Sequence, residues 1–266
     1  MIVVLKHNPN PEQLQSLITW LQEKGIIIHT SIGEGNMLLG LVGDTSKIDA
    51  DLISALDIVE DVKRVQEPYK NANRKFHPED TVVKVGNTQI GGGNLTLMAG
   101  PCSVESEEQV VAIAKAVKAS GATMLRGGAF KPRTNPHSFQ GLGEEALKIM
   151  RDSGEKHGLK TLTEVMDSAH CELVHSYVDG LQVGARNFQN FSLLKKIGQV
   201  TAESHKMVLY KRGFAGTIAE WLAATDYITD HGNTNVVLCE RGIRTFETAT
   251  RFTLDIAAVP VIHKQS

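Results

Sequence analysis

Positively charged side chains recur in this sequence where short apolar runs end. The richest stretch is LRGGAFKPRTNPHSFQG, residues 125–141, in which glycines and prolines surround three cations. Along the chain, six such cations follow consecutive runs: Arg126, Lys131, Arg133, Arg186, Lys211 and Arg241. A single Arg or Lys is usually a solvated surface charge, but six that converge would repel one another without a ligand. We therefore expect a site for two small molecules that carry phosphate or carboxylate groups.

A carboxylate and a thiol stand at equivalent positions. Glu164 ends the run KTLTEV, where it could orient a basic residue or activate a water molecule. Cys102, in AGPCS, could be a nucleophile, a metal ligand or a small apolar filler, and nearby cations would stabilise its thiolate. Cys171 and Cys239 are predicted to lie in the interior. The ten histidines show no HxH or HExxH spacing, so none is predicted to bind a metal.

The elements that position these residues alternate regularly from residue 94 onward. A helical stretch follows each of six strand-like runs: LTLMAGPCS, TMLRGGA, KTLTEV, GLQVGARN, MVLYKRG and NVVLCERG. Such repetition indicates right-handed crossovers and a parallel sheet. Polar residues at the ends of many strands favour a TIM-type (β/α)8 barrel, because an open sheet would gather them at one switch point.

The predicted barrel lacks its last two strand–helix units. A (β/α)8 barrel usually takes about 250 residues, whereas residues 94–266 supply strands 1–6 only. The final residues, VPVIHKQS, stand where a seventh strand is expected to begin. We therefore expect a C-terminally truncated barrel whose edge strands are unpaired, with little or no activity of this chain alone.

The N-terminal part has a different pattern. Residues 1–70 read as strand, helix, two strands joined by a Gly-containing turn, helix and strand, which predicts a ferredoxin-like α+β domain. Residues 71–93 are predicted to form a linker and a β-hairpin that turns at Gly86 and Asn87. Such a module either binds a small regulator or is a passive accessory, and its edge strands favour a homo-oligomer.

Composition limits the partners and the compartment. The formal net charge is −2, which does not suggest binding to nucleic acid or to a membrane surface. Three widely spaced cysteines without a CxxC motif indicate a reducing compartment. Because no apolar stretch is long enough for a signal peptide or a membrane span, we expect a cytoplasmic protein.

Several motifs together carry a resemblance to a known family. AGPCSVES, LRGGAFKPRT, SFQGLG, TEV, GARNFQN, KRG and LCERGIRTFE closely resemble the 3-deoxy-D-arabino-heptulosonate 7-phosphate (DAHP) synthases, in the class with an N-terminal ferredoxin-like regulatory domain. The resemblance implies a transferase of the shikimate pathway, which makes aromatic amino acids. It implies an aldol-like condensation of phosphoenolpyruvate with erythrose 4-phosphate, a divalent metal of the Mn, Fe, Co or Zn type, and feedback by an aromatic end product or a pathway intermediate.

The resemblance also assigns roles to individual residues. Arg126 and Lys211, with Lys131 beside them, match residues that hold the phosphoenolpyruvate carboxylate. The backbone at Ala185 and the side chains of Arg186 and Arg241 match the clamp on its phosphate. The erythrose 4-phosphate site is matched by the KPRT loop, which comprises Lys131, Pro132, Arg133 and Thr134.

Catalytic and metal-binding roles are implied in the same way. Lys131 and Glu164 are the implied catalytic residues, and Glu164 matches a carboxylate near the double bond that reacts. Cys102 matches a metal ligand. The remaining ligands of the family, an Asp-Pro-Ser-His segment and later acidic residues, have no counterpart in this sequence, so we expect an incomplete metal site.

Two other functions stay open at this stage. The first is a 3-deoxy-D-manno-octulosonate 8-phosphate synthase, in which an Ala-Asn-Arg-Ser type loop typically replaces KPRT. The second is a non-catalytic regulatory or metabolite-binding protein built on a broken barrel. Calorimetry with phosphoenolpyruvate, with and without metal, would separate an enzyme from a protein that has lost its site.

Overall fold

The structure, a computed structural model, describes residues 1–32, 37–45, 48–64, 69, 71–75 and 77–266. The chain divides into two compact units, Met1–Pro78 and Glu79–Ser266. The predicted turn between the second and third strands falls at residues 33–36, and one residue of the predicted linker, residue 76, also lies outside the described residues. No helix in the described ranges is long and apolar enough to cross a membrane.

The N-terminal unit is a four-stranded antiparallel sheet with two helices. Its elements are β1 (Ile2–Leu5), α1 (Pro11–Glu23), β2 (Ile27–Ile32), β3 (Met37–Val42), α2 (Ala50–Ser54) and β4 (Val59–Lys63). The strand order β2-β3-β1-β4 confirms the predicted ferredoxin-like arrangement. Helix α1 begins at Pro11 because the Asn10 side chain accepts hydrogen bonds from the next free backbone N–H groups. Its apolar face, with Leu17 and Leu21, is buried on the sheet.

A hairpin opens the second unit. Its strands, β5 (Val83–Val85) and β6 (Thr88–Ile90), pair across a turn at Gly86 and Asn87. Val83 and Val85 are buried against four side chains of the following sheet, namely Met124, Leu162, Met207 and Leu209. The hairpin therefore covers the amino-terminal end of one face of that sheet.

The rest of the unit alternates strand and helix as predicted. Its strands are β7 (Met98–Ala99), β8 (Met124–Arg126), β9 (Lys160–Val165), β10 (Gly180–Val183), β11 (Met207–Lys211) and β12 (Val236–Cys239). Its helices are α3 (Glu107–Ala119), α4 (Glu144–His157), α5 (Cys171–Tyr177), α6 (Phe191–Thr201), α7 (Ile218–Thr229) and α8 (Ala258–Gln265). The strands are parallel and lie in sequence order, and this curled half-barrel confirms the predicted TIM-type arrangement for strands 1–6.

The two faces of the half-barrel carry different side chains, because successive residues of a strand point to opposite faces. The outer face packs Leu125, Leu181 and Tyr210 against the helices in the main core. The inner face is apolar beside the hairpin, where Met124 and Leu162 lie. Two residues further along each strand, this face carries polar groups at the carboxyl ends.

The end of the chain departs from the sequence prediction. VPVIHKQS does not begin a seventh strand, because Ala258–Gln265 form helix α8. Pro260 fits there, since the first turn of a helix does not need its backbone N–H groups. Ile262 then packs against the main core. Among the described residues, β7 and β12 are the edges of the six-stranded sheet.

Candidate active site

The loop after β8 folds back so that Lys131 reaches the end of β7. Lys131 is only 8% exposed, and its Nζ donates to the backbone oxygen of Cys102 at 2.7 Å and lies 3.3 Å from Cys102 Sγ. The loop is closed by a hydrogen bond from Lys131 N to Gln140 O, 2.8 Å long. Gly141 has a φ of +102°, and a Cβ at this position would overlap the backbone oxygen of Ala129. Gly141, the first glycine of SFQGLG, is therefore needed to hold the KPRT segment in place.

Cys102 lies between two cations. Burial by itself raises the pKa of its thiol, but the Lys131 ammonium and then the Arg126 guanidinium lower it, and the result is a pKa below the ordinary value. Arg126 Nη1 also approaches the backbone oxygens of Pro101 and Cys102, both at 3.4 Å. Arg126, Lys131 and Cys102 thus form one cluster at the carboxyl ends of β7 and β8.

A second cluster lies beside it, across β9, β10 and β11. Glu164 is 7% exposed and Gln182 only 2% exposed. Gln182 Nε2 donates to Glu164 Oε2 at 2.9 Å, and Arg126 Nε donates to Gln182 Oε1 at 3.3 Å. Lys211 Nζ stands 3.7 Å from Glu164 Oε2. A single chain of contacts therefore joins the two clusters.

Burial and neighbouring charge both act on Lys211. Burial lowers the pKa of its ammonium, the Glu164 carboxylate opposes this, and Arg126 and Arg241 lower the pKa further, so that it lies below its ordinary value. Glu164 is held in place on its other side by Gly184, where a Cβ would overlap the carboxylate. The Glu164 carboxylate thus favours the charged form of Lys211.

The remaining predicted cations lie at the ends of β10 and β12. A 3-10 turn, Ala185–Asn187, carries exposed Arg186. Arg241 is half-buried, and its Nη1 has no hydrogen-bond partner among the described residues. Burial lowers the pKa of Arg241, and Arg251 and Arg186 add to this effect. These arginines form a strongly positive region in which an anion would find unused donors.

The KPRT loop is only partly buried. Pro132 is half-buried, whereas Arg133 and Thr134 are exposed. Arg133 Nε donates to Phe139 O at 3.0 Å, within its own loop. Lys131 therefore belongs to the buried cluster, while the next three residues lie toward its rim.

Two residues in this region were not predicted as site residues. Gln182 joins the clusters, and its signal in the sequence is a polar residue on the inner face of an otherwise apolar strand. Arg212 follows Lys211 but points to the other face, where Nη1 pairs with Glu240 Oε2 at 3.2 Å and Asp255 Oδ2 at 2.7 Å. Its place in a buried ion-pair network has no local signal.

The residues around Cys102 do not fit a divalent cation. No three His, Cys, Asp or Glu side chains lie close enough to hold a metal in the part of the chain that the structure describes. The side chains within reach of the Cys102 thiol are the cations Lys131 and Arg126. A divalent ion there would gain one sulfur ligand and would meet two positive charges.

Known proteins match both units. Residues 70–266 match the DAHP synthetase I family, and residues 1–67 match the DAHP synthase ferredoxin-like domain. Phospho-2-dehydro-3-deoxyheptonate aldolase of Thermotoga maritima is 47% identical over the whole chain, which spans 78% of that protein. The crystal structure of this DAHP synthase superposes with a TM-score of 0.73 over 100% of this chain and 76% of its own.

More distant relatives match a smaller share of the chain at lower identity. The 2-dehydro-3-deoxyphosphooctonate aldolase of Nitrobacter hamburgensis is 34% identical over 171 residues, which cover 60% of this chain and 58% of that protein. The chain thus spans less than two thirds of this relative, but more than three quarters of the Thermotoga protein. The family match, the ferredoxin-like domain and the inner-face clusters agree, and the chain belongs to the DAHP synthetase I family.

Proposed function

We propose that the two clusters bind phosphoenolpyruvate and erythrose 4-phosphate for the reaction of a DAHP synthase. This transferase reaction is the first step of the shikimate pathway, and it joins C3 of phosphoenolpyruvate to the aldehyde carbon of the sugar phosphate. Water attacks C2 of phosphoenolpyruvate, and inorganic phosphate leaves. The observation that supports the proposal is the convergence of buried Lys131 and half-buried Arg126 and Lys211 at the carboxyl ends of the strands.

The positions of the cations suggest how the first substrate lies. Arg126 and Lys211 stand on either side of Gln182, and there they would hold the carboxylate of phosphoenolpyruvate. Arg186, the backbone at Ala185 and Arg241 would hold its phosphate. Arg241 Nη1, which no described residue contacts by a hydrogen bond, supports this assignment. Glu164 would keep Lys211 protonated against the burial that lowers its pKa.

Lys131 is placed to act on the second substrate. It begins the KPRT loop, whose Pro132, Arg133 and Thr134 would hold erythrose 4-phosphate at the rim. The attacked aldehyde oxygen becomes a hydroxyl group and needs a proton, which the Lys131 ammonium can donate. Enzymes of this family generally depend on a divalent metal of the Mn, Fe, Co or Zn type. Cys102 alone does not supply the donor set of such a metal.

Calorimetry of the 266-residue chain tests this proposal. We expect phosphoenolpyruvate to bind, and Lys211→Met to weaken the binding at least about tenfold, as loss of a charge-assisted contact does. Lys148→Met is the control, because Lys148 pairs with Glu144 on the surface of α4. Failure of phosphoenolpyruvate to bind, or an equal effect of both variants, would contradict the proposal.

The identity of the sugar phosphate needs a second titration. With phosphoenolpyruvate present, erythrose 4-phosphate is expected to bind more tightly than arabinose 5-phosphate. The reverse order would favour an octulosonate 8-phosphate synthase, the activity suggested by the more distant relatives.

We also propose a regulatory role for the N-terminal unit. Its match to the DAHP synthase ferredoxin-like domain supports binding of an aromatic end product or pathway intermediate, and its sheet edges β2 and β4 support a homo-oligomer. Sedimentation of the chain with and without each aromatic amino acid tests both parts. A monomer that binds none of these compounds would contradict them.

A further inference from the structure

Two phenylalanine rings lie among the arginines that follow β10 and β12. Phe214 and Phe252 stack with their centroids 5.4 Å apart and their planes 10° apart, and we call them the aromatic pair. Arg241 Cζ lies 3.9 Å from the Phe252 centroid and 5.0 Å from that of Phe214. Three more guanidinium groups lie over the pair: Arg186 and Arg244 over Phe214 at 5.9 and 5.1 Å, and Arg251 over Phe252 at 5.2 Å.

The backbone fixes the aromatic pair against Arg241. Ile243 and Thr253 exchange hydrogen bonds of 2.8 and 2.9 Å, which bring Phe252 back beside the end of β12. Gly242 has a φ of +84°, and a Cβ there would come within 3.0 Å of Phe252 Cβ. The segment after β12 therefore returns to the sheet at this point, and the glycine leaves room for the ring.

A second set of contacts holds Phe214 and the returning segment. The backbone N–H of Arg244 donates to Phe214 O at 2.8 Å. Arg212, buried after β11, pairs with Glu240 and with Asp255, one on either side of the returning segment. The rings are thus tied to the ends of both β11 and β12.

Four arginines this close would repel one another if nothing offset their charge. The negative faces of aromatic rings attract guanidinium groups. A guanidinium group that stacks on a ring contacts the ring with its flat face. The N–H groups at the edge of the guanidinium therefore stay free to bind an anion. This agrees with Arg241 Nη1, which is buried and has no hydrogen-bond partner among the described residues.

We propose that Phe214 and Phe252 are positioning residues for the phosphate of phosphoenolpyruvate. Their ring faces hold Arg241, with Arg186 and Arg244 beside it, so that the N–H edges meet at one phosphate group. The proposal rests on the proposed function, because it takes Arg186 and Arg241 as the phosphate clamp. It adds that the aromatic faces set the geometry of the clamp.

Calorimetry with inorganic phosphate and with phosphoenolpyruvate tests this role in the full chain. Phe252→Leu keeps an apolar side chain but removes the ring face, and we expect the Kd of both anions to rise about tenfold, as loss of a cation–π contact predicts. Phe252→Tyr keeps the ring face and should restore binding to within about twofold of wild type. A role in packing alone would not distinguish the ring from leucine in this way.

The control is another aromatic stack that carries a cation. Phe191 stacks on Tyr227 at 4.5 Å, with Lys195 Nζ 5.5 Å from the Tyr227 ring, between α6 and α7. Phe191→Leu makes the same chemical change there and should leave both Kd values unchanged. Melting temperatures show whether each variant is folded. If Phe252→Leu does not fold, Phe214→Leu replaces it as the test.

The outcomes separate the two proposals. If wild type binds neither anion, the proposed function fails and this inference fails with it. If wild type binds both but Phe252→Leu and Phe214→Leu bind as wild type does, the inference alone is wrong. Equal weakening by Phe252→Leu and Phe252→Tyr would also overturn it, because the ring face would then not matter.

Discussion

Gln182 Nε2 donates a 2.9 Å hydrogen bond to Glu164 Oε2 on the inner face of the half-barrel, where both side chains are buried. The other end of the same amide accepts a hydrogen bond from Arg126 Nε. One neutral side chain thus fixes an anion and a cation that lie on two other strands. It can do so because β8, β9 and β10 are adjacent and in register.

Gln182→Leu should therefore disturb both stability and binding. Glu164 would lose its only neutral side-chain donor seen in the described structure, and leaving a buried charged group short of a hydrogen bond costs about 1–3 kcal/mol. We also expect weaker binding of phosphoenolpyruvate, because Arg126 would lose its orientation. Urea unfolding and calorimetry measure the two effects. Gln189→Leu, on the exposed turn after the same strand, should change neither, and a silent Gln182→Leu would contradict the bridging role.

Gly184→Ala tests how tightly Glu164 is held. A Cβ at residue 184 would overlap the Glu164 carboxylate, although the backbone φ of −74° suits any residue. We expect weaker phosphoenolpyruvate binding and a loss of about 1–3 kcal/mol in the free energy of unfolding, as overpacking causes. In a Glu164→Ala background the carboxylate is absent and the overlap cannot occur. Gly184→Ala should therefore cause little further loss of binding or stability in that background. Additive losses in this double-mutant cycle would exclude the contact as the cause.

As pH is raised, the binding of phosphoenolpyruvate should begin to weaken at a lower pH than it would if Lys211 had the pKa of an ordinary lysine. Burial lowers the pKa of Lys211 below its ordinary value of 10.5; Glu164 and Cys239 oppose this, and Arg126 and Arg241 add to it. As pH rises through this lowered pKa, Lys211 loses its charge and the carboxylate loses a partner. Titrations across the alkaline range would show the decline. Lys211→Arg should move the decline in binding to higher pH, because arginine stays charged there. If the decline does not move, the titration of another group causes it.

Arg212→Met should destabilise the second unit strongly. Arg212 is buried and pairs with Glu240 and Asp255, so its loss leaves two carboxylates without their cation. Breaking a buried pair in this way costs about 3–5 kcal/mol. Urea unfolding followed by the fluorescence of buried Trp221, in a Trp20→Phe background, measures the loss. Arg151→Met, which removes an exposed pair with Asp152, should cost far less.

The sequence by itself determined the order of the elements and the set of cations at the strand ends. Both follow from local patterns, because strand and helix periods are read from neighbouring residues, and the carboxyl ends of parallel strands share one edge of a sheet. The turn at Gly86 and Asn87 was predictable for the same reason. The motifs around Cys102 and Lys131 also identified the family.

Only the tertiary structure decided which of these residues touch. Gln182 joins Glu164 to Arg126 because three strands bring their inner faces together. Phe214 and Phe252 are far apart in the chain, and they stack because the segment after β12 folds back on the sheet. Helix α8 likewise replaces a predicted strand where packing against the main core outweighs local pattern. Contacts between distant residues depend on how elements pack, and no short window of sequence records that.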